Sequence, residues 1–213
     1  MEEQLKTGTT TVGIACEDGI VLAADKRATA GTMIVDKRAE KVHVINDDFA
    51  VTIAGGVSDA QLLIKLIRAE LKLKEVKTNK KATAKEAANL LGGLLYSNIR
   101  RPSMIPGIAH FLLGGRDKKG THLYDLFPDG SVTPIRDFVS SGSGSVFALG
   151  VLETQYRADM TTDEAVKMAV KAINTALKRD SCSGNGIDVI VVKNKEIKRV
   201  MNKELDYNLF SSP

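Results

Sequence analysis

The sequence predicts an α+β fold, a four-layer αββα sandwich in which two antiparallel sheets lie between two helical layers. Short runs of β-branched and apolar residues, typical of strands, fall into three groups along the chain. Between the groups lie two pairs of segments with helical periodicity, and neither pair contains an intervening strand. Two stacked sheets with a helix pair on each outer face bury every apolar stripe, whereas a parallel β/α alternation is disfavoured.

The first group of strands consists of two hairpins. Residues 9–16 and 20–25 flank Glu17-Asp18-Gly19, which carries an Asp-Gly turn signal, and residues 42–45 and 49–54 form the second hairpin. The chain then changes from period two to a helical period behind a Ser58 or Asp59 cap. The predicted buried stripe of this helix is Leu62, Leu63, Leu66, Ile67 and Leu71.

The register of the first hairpin decides where Asp25 points. A three-residue loop with Gly19 left-handed places Asp25 opposite Thr11, on the same sheet face as Thr9. A two-residue turn at Asp18 and Gly19 shifts the pairing by one residue and points Asp25 away from Thr9. If Asp25 and Thr9 belong to one site, the hairpin must have the three-residue loop or a compensating bulge, and this is our prediction.

The remaining elements follow the same alternation. A second helix is predicted over about residues 83–100, and strands return over 109–114, 121–127 and 131–135. After a Ser- and Gly-rich loop at 140–145, two more helices cover about residues 146–156 and 163–178. A last hairpin spans residues 187–192 and 197–201.

Composition narrows the class of protein. The 213 residues, 43% of them hydrophobic, fit one domain, and the net charge of +4 is scattered. With 5% aromatic residues and no Trp, nucleic-acid binding is disfavoured. No signal peptide or membrane span is evident, so a cytoplasmic protein is expected. Cys16 and Cys182 are expected to be reduced thiols, and no metal site is predicted.

Six motifs are spread along the chain: residues 8–14 (GTTTVGI), 22–27 (LAADKR), 52–55 (TIAG), 141–145 (SGSGS), 150–153 (GVLE) and 179–184 (RDSCSG). They resemble the motifs of proteasome β subunits of the archaeal type, threonine peptidases of the N-terminal-nucleophile hydrolase superfamily. Taken singly, GTTT or SGSGS means little, but together the motifs are highly specific.

The resemblance implies that Thr9 is the nucleophile. A hydroxyl needs an adjacent base, and an N-terminal threonine supplies its own α-amine. Before cleavage that nitrogen is an amide, so residues 1–8 are expected to be a propeptide cleaved autocatalytically between Gly8 and Thr9, leaving residues 9–213 as one domain. Gly8 leaves room for the Thr9 hydroxyl to attack the preceding carbonyl.

Further site residues are implied by matching positions. Lys41, 32 residues after Thr9, is the catalytic lysine and Asp25 its carboxylate partner. Gly55 is the oxyanion donor, although a glycine there could equally serve the turn. The residues that orient the threonine amine are Ser143, Asp180 and Ser183.

The substrate side chain before the cut is expected to lie among small or apolar residues. The family positions are Ala28, Ala39, Ile53 and Val57, with Thr29 and Gly55 pairing with the substrate backbone. None of these residues is acidic, so cleavage after bulky apolar residues is expected.

The resemblance also implies an assembly without cofactor or metal. Expected partners are other β subunits in heptameric rings, proteasome α subunits in a 28-subunit stacked core, an ATP-dependent regulatory particle and unfolded polypeptides. The alternatives are a noncatalytic structural β subunit, a bacterial-type ATP-dependent threonine protease, or a non-proteolytic amidohydrolase of the same superfamily.

Overall fold

The structure, a computed structural model, describes residues 8–205. The strands are β1 (Thr11–Cys16), β2 (Gly19–Asp25), β3 (Ala28–Ala30), β4 (Met33–Asp36), β5 (Val42–Val44), β6 (Phe49–Gly55), β7 (Ala109–Asp117), β8 (Gly120–Leu126), β9 (Val132–Ile135), β10 (Phe138–Ser141), β11 (Gly186–Lys193) and β12 (Ile197–Glu204). The helices are α1 (Val57–Thr78), α2 (Ala84–Ile99), α3 (Ser145–Gln155) and α4 (Thr162–Leu177). Apart from Gly8, the predicted propeptide lies outside the described residues.

Two five-stranded antiparallel sheets form the centre of the molecule. The first sheet has the order β10-β1-β2-β11-β12, and the second sheet has the order β5-β6-β7-β8-β9. Strands β3 and β4 form a separate small hairpin. No helix within residues 8–205 is long and apolar enough to cross a membrane.

Three apolar clusters hold the layers together. Between the sheets, Ile20, Leu22 and Ile190 of the first sheet pack with Leu112 and Leu123 of the second. Helices α1 and α2 cover the outer face of the second sheet, and α3 and α4 cover that of the first. Each helix pair therefore buries its apolar stripe against one sheet, and the predicted four-layer αββα sandwich is confirmed.

The predicted register of the first hairpin is wrong. Cys16 pairs with Gly19 across a two-residue Glu17-Asp18 turn, so that Asp25 lies opposite Thr10 rather than Thr11. Gly19 is the first residue of β2. A Cβ there would lie 2.5 Å from the carbonyl oxygen of Val192 on β11. The glycine therefore serves the close approach of a neighbouring strand and not a left-handed turn.

Helix α1 also differs from its prediction. Gly56 is the N-cap and no side chain caps the helix, so neither Ser58 nor Asp59 has that role. The buried stripe is Ala60, Leu63, Ile64, Ile67 and Leu71. Leu62 and Leu66 are exposed because the helix is rotated relative to the predicted stripe, with Ala60 and Ile64 toward the sheet.

The predicted bounds of the other helices are close to those observed, but three short strands were missed. Helix α4 begins behind a capping box formed by Thr161 and Glu164. Strands β3 and β4 escape detection because they are short and largely exposed. Strand β10 replaces the first part of the predicted 140–145 loop and pairs with β1. It was not predicted because serines at a sheet edge lack an apolar pattern.

Candidate active site

Thr9 lies just before β1, with its side chain folded back on the preceding peptide group. Its Oγ1 donates to the carbonyl oxygen of Gly8 at 2.6 Å, and its backbone N–H donates to Ser143 Oγ at 3.2 Å. Thr9 is 4% exposed. The structure therefore places a hydroxyl directly beside the carbonyl group of residue 8, in a site shielded from bulk water.

A buried ion pair lies beside this peptide group. Lys41 Nζ is 2.7 Å from Asp25 Oδ1 and donates to the Gly8 carbonyl oxygen at 3.3 Å. Asp25 comes from the end of β2 in the first sheet, whereas Lys41 immediately precedes β5 in the second. The pair therefore joins the two sheets at the point where Gly8 and Thr9 lie.

Asp25 accepts three backbone hydrogen bonds besides the one from Lys41. Its Oδ1 accepts from the N–H of Thr10 at 3.0 Å, and its Oδ2 accepts from Arg27 at 3.0 Å and Gly184 at 2.9 Å. Four donors thus fix a carboxylate whose side chain is fully buried. The observed register permits this, because pairing with Thr10 brings the carboxylate to that residue's N–H.

Burial lowers the pKa of Lys41 below its usual value, because a charged ammonium loses its hydration. The Asp25 carboxylate opposes this shift by attraction and by its hydrogen bond. Protein groups rather than solvent thus hold Lys41 Nζ against the Gly8 carbonyl oxygen.

A second group of hydroxyls surrounds the Thr9 backbone. Asp180 Oδ2 accepts from Ser143 Oγ and Ser183 Oγ, both at 2.6 Å. Since each serine has one hydroxyl proton, Ser143 is left to accept from the Thr9 N–H, and Ser183 to accept from Thr10 Oγ1 at 2.7 Å. The predicted residues Ser143, Asp180 and Ser183 are therefore joined by hydrogen bonds, with Ser143 on the Thr9 nitrogen and Ser183 on the Thr10 hydroxyl.

The loop between β10 and α3 wraps the other side of Thr9, and we call Gly142, Ser143 and Gly144 the cradle. The N–H of Gly144 donates to the carbonyl oxygen of Thr9 at 3.3 Å. Gly142 has a φ of 91°, and a Cβ there would lie 2.1 Å from that oxygen. Glycine is thus required where the cradle touches Thr9.

Gly55 ends β6 with a φ of 98°, and a Cβ there would lie 2.4 Å from the carbonyl oxygen of Ile108. The turn alone therefore requires glycine at this position. The predicted oxyanion role of its N–H is compatible with this requirement and remains a prediction.

The predicted substrate-contacting residues differ in their burial. Ala28 and Ala39 are half-buried, and Thr29 is buried with its Oγ1 accepting from the Gly8 N–H at 3.0 Å. Ile53 packs in the cluster beneath α1 and α2, whereas Val57 is exposed at the start of α1. Thr29 thus contacts residue 8 directly.

Two contacts of the site were not foreseen in their roles. Thr10 joins the Ser183 hydroxyl chain, and Arg27 binds Asn185 Oδ1 at 2.7 Å and the Ser181 carbonyl oxygen at 2.9 Å. Arg27 thereby fastens the 179–184 segment to the end of β2. The LAADKR motif already contained this arginine, but its partners are distant in sequence.

Cys182 lies against Gly8. A Cβ on Gly8 would lie 1.7 Å from the Cys182 Cβ, so the chain has no room for a side chain at position 8. This contact restricts residue 8 to glycine. Within residues 8–205 no group of three His, Cys, Asp or Glu side chains is arranged to hold a metal ion.

The two thiols are expected to differ in reactivity. Burial, with a further contribution from Asp18, raises the pKa of Cys16 to about 12, so only about one molecule in ten thousand carries its thiolate at pH 8. Iodoacetamide at pH 8 should therefore label half-buried Cys182 well before Cys16, as read by peptide mass spectrometry. Cys182→Ser should remove the fast label, and equal labelling of both thiols would contradict the assignment.

Comparison with known proteins shows the family of this chain. The sequence model of the family described as "Proteasome subunit" matches residues 5–192. A "Proteasome subunit beta" of Ferroglobus placidus is 43% identical over 206 residues, which are 97% of this chain and 96% of that protein. Proteins of the same name from Archaeoglobus fulgidus and Methanococcus maripaludis (strain C5) are 41% and 42% identical, covering 97% and 93% of this chain and 95% and 90% of their own lengths.

Proposed function

This chain belongs to the proteasome subunit family, and on that premise we propose that it is a catalytic β subunit, a threonine endopeptidase whose nucleophile is Thr9. The observation that carries the proposal is the contact of Thr9 Oγ1 with the Gly8 carbonyl group at 2.6 Å, beside the buried Lys41. A nucleophile, a polarising cation and a peptide group that it can attack lie together.

The first reaction is cleavage of the chain's own Gly8–Thr9 peptide bond. Thr9 Oγ attacks the Gly8 carbonyl carbon, the C–N bond breaks, and the Thr9 nitrogen takes up the hydroxyl proton, leaving an ester. Water then hydrolyses the ester to a Gly8 carboxylate and a free Thr9 hydroxyl. Lys41 stabilises the negative charge that develops on the carbonyl oxygen, to which it already donates.

The second reaction is hydrolysis of substrate peptides. The freed Thr9 α-amine, whose ordinary pKa lies near 8, accepts the hydroxyl proton while Oγ attacks the substrate carbonyl. The proton passes to the leaving amine, and water hydrolyses the acyl-enzyme ester. Ser143 holds the nitrogen that performs these transfers, and we assign the Gly55 N–H to the substrate oxyanion.

Substrate choice follows from the side chains proposed to line the pocket. Ala28, Ala39, Ile53 and Val57 bring no negative charge, so bulky apolar residues are favoured before the cut over Lys or Arg. Thr29, which binds the backbone N–H of Gly8, is positioned to pair with the backbone of an extended substrate in the same way.

The working form is an assembled particle in the cytoplasm. Its proposed partners are like subunits in heptameric rings, α subunits on either side and an ATP-dependent activator that delivers unfolded polypeptides. The alternative of a noncatalytic structural subunit lacks support, because the chain retains Thr9 together with the Lys41–Asp25 pair in contact with the preceding peptide group.

The test is to measure the N-terminus and the activity of the purified particle together. We expect mass spectrometry to find Thr9 as the mature N-terminus and fluorogenic peptides to be cut faster after Tyr or Leu than after Arg. An intact leader in an active particle refutes the mechanism. Faster cleavage after Arg refutes only the assignment of the pocket.

A further inference from the structure

A chain of three polar side chains links the two sheets close to the cradle. Asp125 on β8 binds His110 Nε2 at 2.5 Å through Oδ1, and His110 Nδ1 lies 2.8 Å from Ser141 Oγ on β10. Strands β7 and β8 belong to the second sheet and β10 to the first. The chain therefore crosses an interface that is otherwise formed largely by apolar side chains.

The proton positions in this chain follow from the partners. A carboxylate only accepts, so the His110 Nε2–H donates to Asp125. In a ring with its one proton on Nε2, Nδ1 accepts the Ser141 hydroxyl proton. The ring also lies against Phe127, with centroids 4.6 Å apart. His110 is thus held from two sides, and it fixes the direction of the Ser141 side chain.

The same three residue types form the catalytic triad of serine hydrolases, but the geometry excludes that use here. Ser141 is 4% exposed, and its backbone pairs with Thr11 at the end of the β1–β10 ladder. A substrate carbonyl cannot reach a hydroxyl enclosed between two sheets. The three hydrogen-bonded side chains therefore have a structural role.

What it holds is the cradle. Ser141 is followed directly by Gly142, Ser143 and Gly144, which contact the backbone N–H and carbonyl oxygen of Thr9. Lys41 and Gly55 come from the second sheet, where His110 pairs with Ala54 next to Gly55. The site thus combines groups from two sheets, and its geometry depends on how the sheets are aligned.

We propose that His110, held by Asp125, is a positioning residue that anchors the cradle to the second sheet through Ser141. It keeps the Thr9 nitrogen and hydroxyl in line with Lys41 and Gly55 without touching the reacting atoms. The catalytic consequence rests on the function proposed above, whereas the anchoring of the loop does not.

The experiment compares Ser141→Ala and His110→Leu with two matched controls. Ser140→Ala removes the neighbouring serine hydroxyl, which donates to the Thr11 carbonyl oxygen at 2.8 Å. His122→Leu removes the other histidine of the β7–β8 hairpin, whose Nε2 lies 3.1 Å from Asp117. Each particle is assayed for kcat, KM and thermal stability, and amide hydrogen exchange of residues 142–145 is followed in the same samples.

We expect Ser141→Ala and His110→Leu to lower kcat about tenfold, the factor equivalent to one ordinary hydrogen bond, with KM nearly unchanged. Amides of the cradle should exchange faster in both, and in neither control. In His110→Asn, the side-chain amide can bind the Ser141 hydroxyl in place of Nδ1. This variant should recover part of kcat even though it loses the contact with Asp125.

The proposal is overturned if Ser141→Ala matches Ser140→Ala in both kcat and cradle exchange. It is also overturned if His110→Leu loses activity only in proportion to its stability, with Asn giving no recovery. If the wild-type particle proves inactive, the proposed function fails, and the exchange rates still decide whether the anchor exists.

Discussion

Thr9→Ala should abolish both the cleavage of the Gly8–Thr9 bond and peptide hydrolysis. The variant removes the hydroxyl that lies 2.6 Å from the Gly8 carbonyl oxygen, and loss of a nucleophile costs at least about a thousandfold in kcat. Intact mass and fluorogenic peptide assays measure the two effects. Thr9→Ser keeps the nucleophile and should retain cleavage.

A matched control lies two residues away. Thr11 Oγ1 is buried and has no hydrogen-bond partner within the described residues, so Thr11→Val replaces an unsatisfied hydroxyl with a methyl group of similar size. We expect full processing and activity, with the free energy of unfolding raised by about 1 kcal/mol. Loss of activity in Thr11→Val and not in Thr9→Ala would contradict the assignment of the nucleophile.

Lys41→Met should produce the second large effect, on activity and stability together. Removing the ammonium leaves the Gly8 carbonyl without its cation and should lower the cleavage rate by about a hundredfold or more. It also leaves the buried Asp25 carboxylate without its counter-ion, which costs about 3–5 kcal/mol of unfolding free energy. Rates of leader loss and denaturant unfolding of the same samples separate the two effects.

Two further variants assign the loss to chemistry. The double variant Lys41→Met/Asp25→Asn removes both charges and should recover much of the stability while remaining inactive. Lys26 provides a matched lysine, since it is about as buried as Lys41. Its Nζ donates to Asn202 Oδ1 at 2.5 Å and not to the Gly8 carbonyl oxygen. Lys26→Met should lower stability and leave the rate per folded particle unchanged. A processed, active Lys41→Met particle would refute the role of Lys41.

The sandwich could be predicted from the sequence because periodicity reports which faces are apolar. The paired helices and the three strand groups leave few other ways to bury their stripes. Finer detail depended on contacts that the sequence does not contain. Gly19 looks like a turn glycine until the Val192 carbonyl oxygen is seen beside it, and Leu62 and Leu66 look buried until α1 is seated on its sheet.

The site was predicted in a similar way, by motif rather than by geometry. The hairpin argument for Asp25 used a wrong register, yet Asp25 reaches Lys41, because the carboxylate acts at the strand end and not across the ladder. The Ser141–His110–Asp125 chain went unnoticed, since its members lie 15 to 31 residues apart and share no motif. Pairing of β7 with β8 brings His110 to Asp125, and packing of the two sheets brings Ser141 to His110.

The ion pair between Asp25 and Lys41 has a consequence for when the protein becomes active. One charge belongs to the first sheet and the other to the second, so a chain on the ribosome, or one with a single sheet formed, has no complete set of groups around Thr9. Under the proposed chemistry, self-cleavage can begin only after the two halves have closed on each other. Cleavage of the leader then occurs only in chains whose two sheets have packed together, and a partly folded chain cannot hydrolyse other proteins.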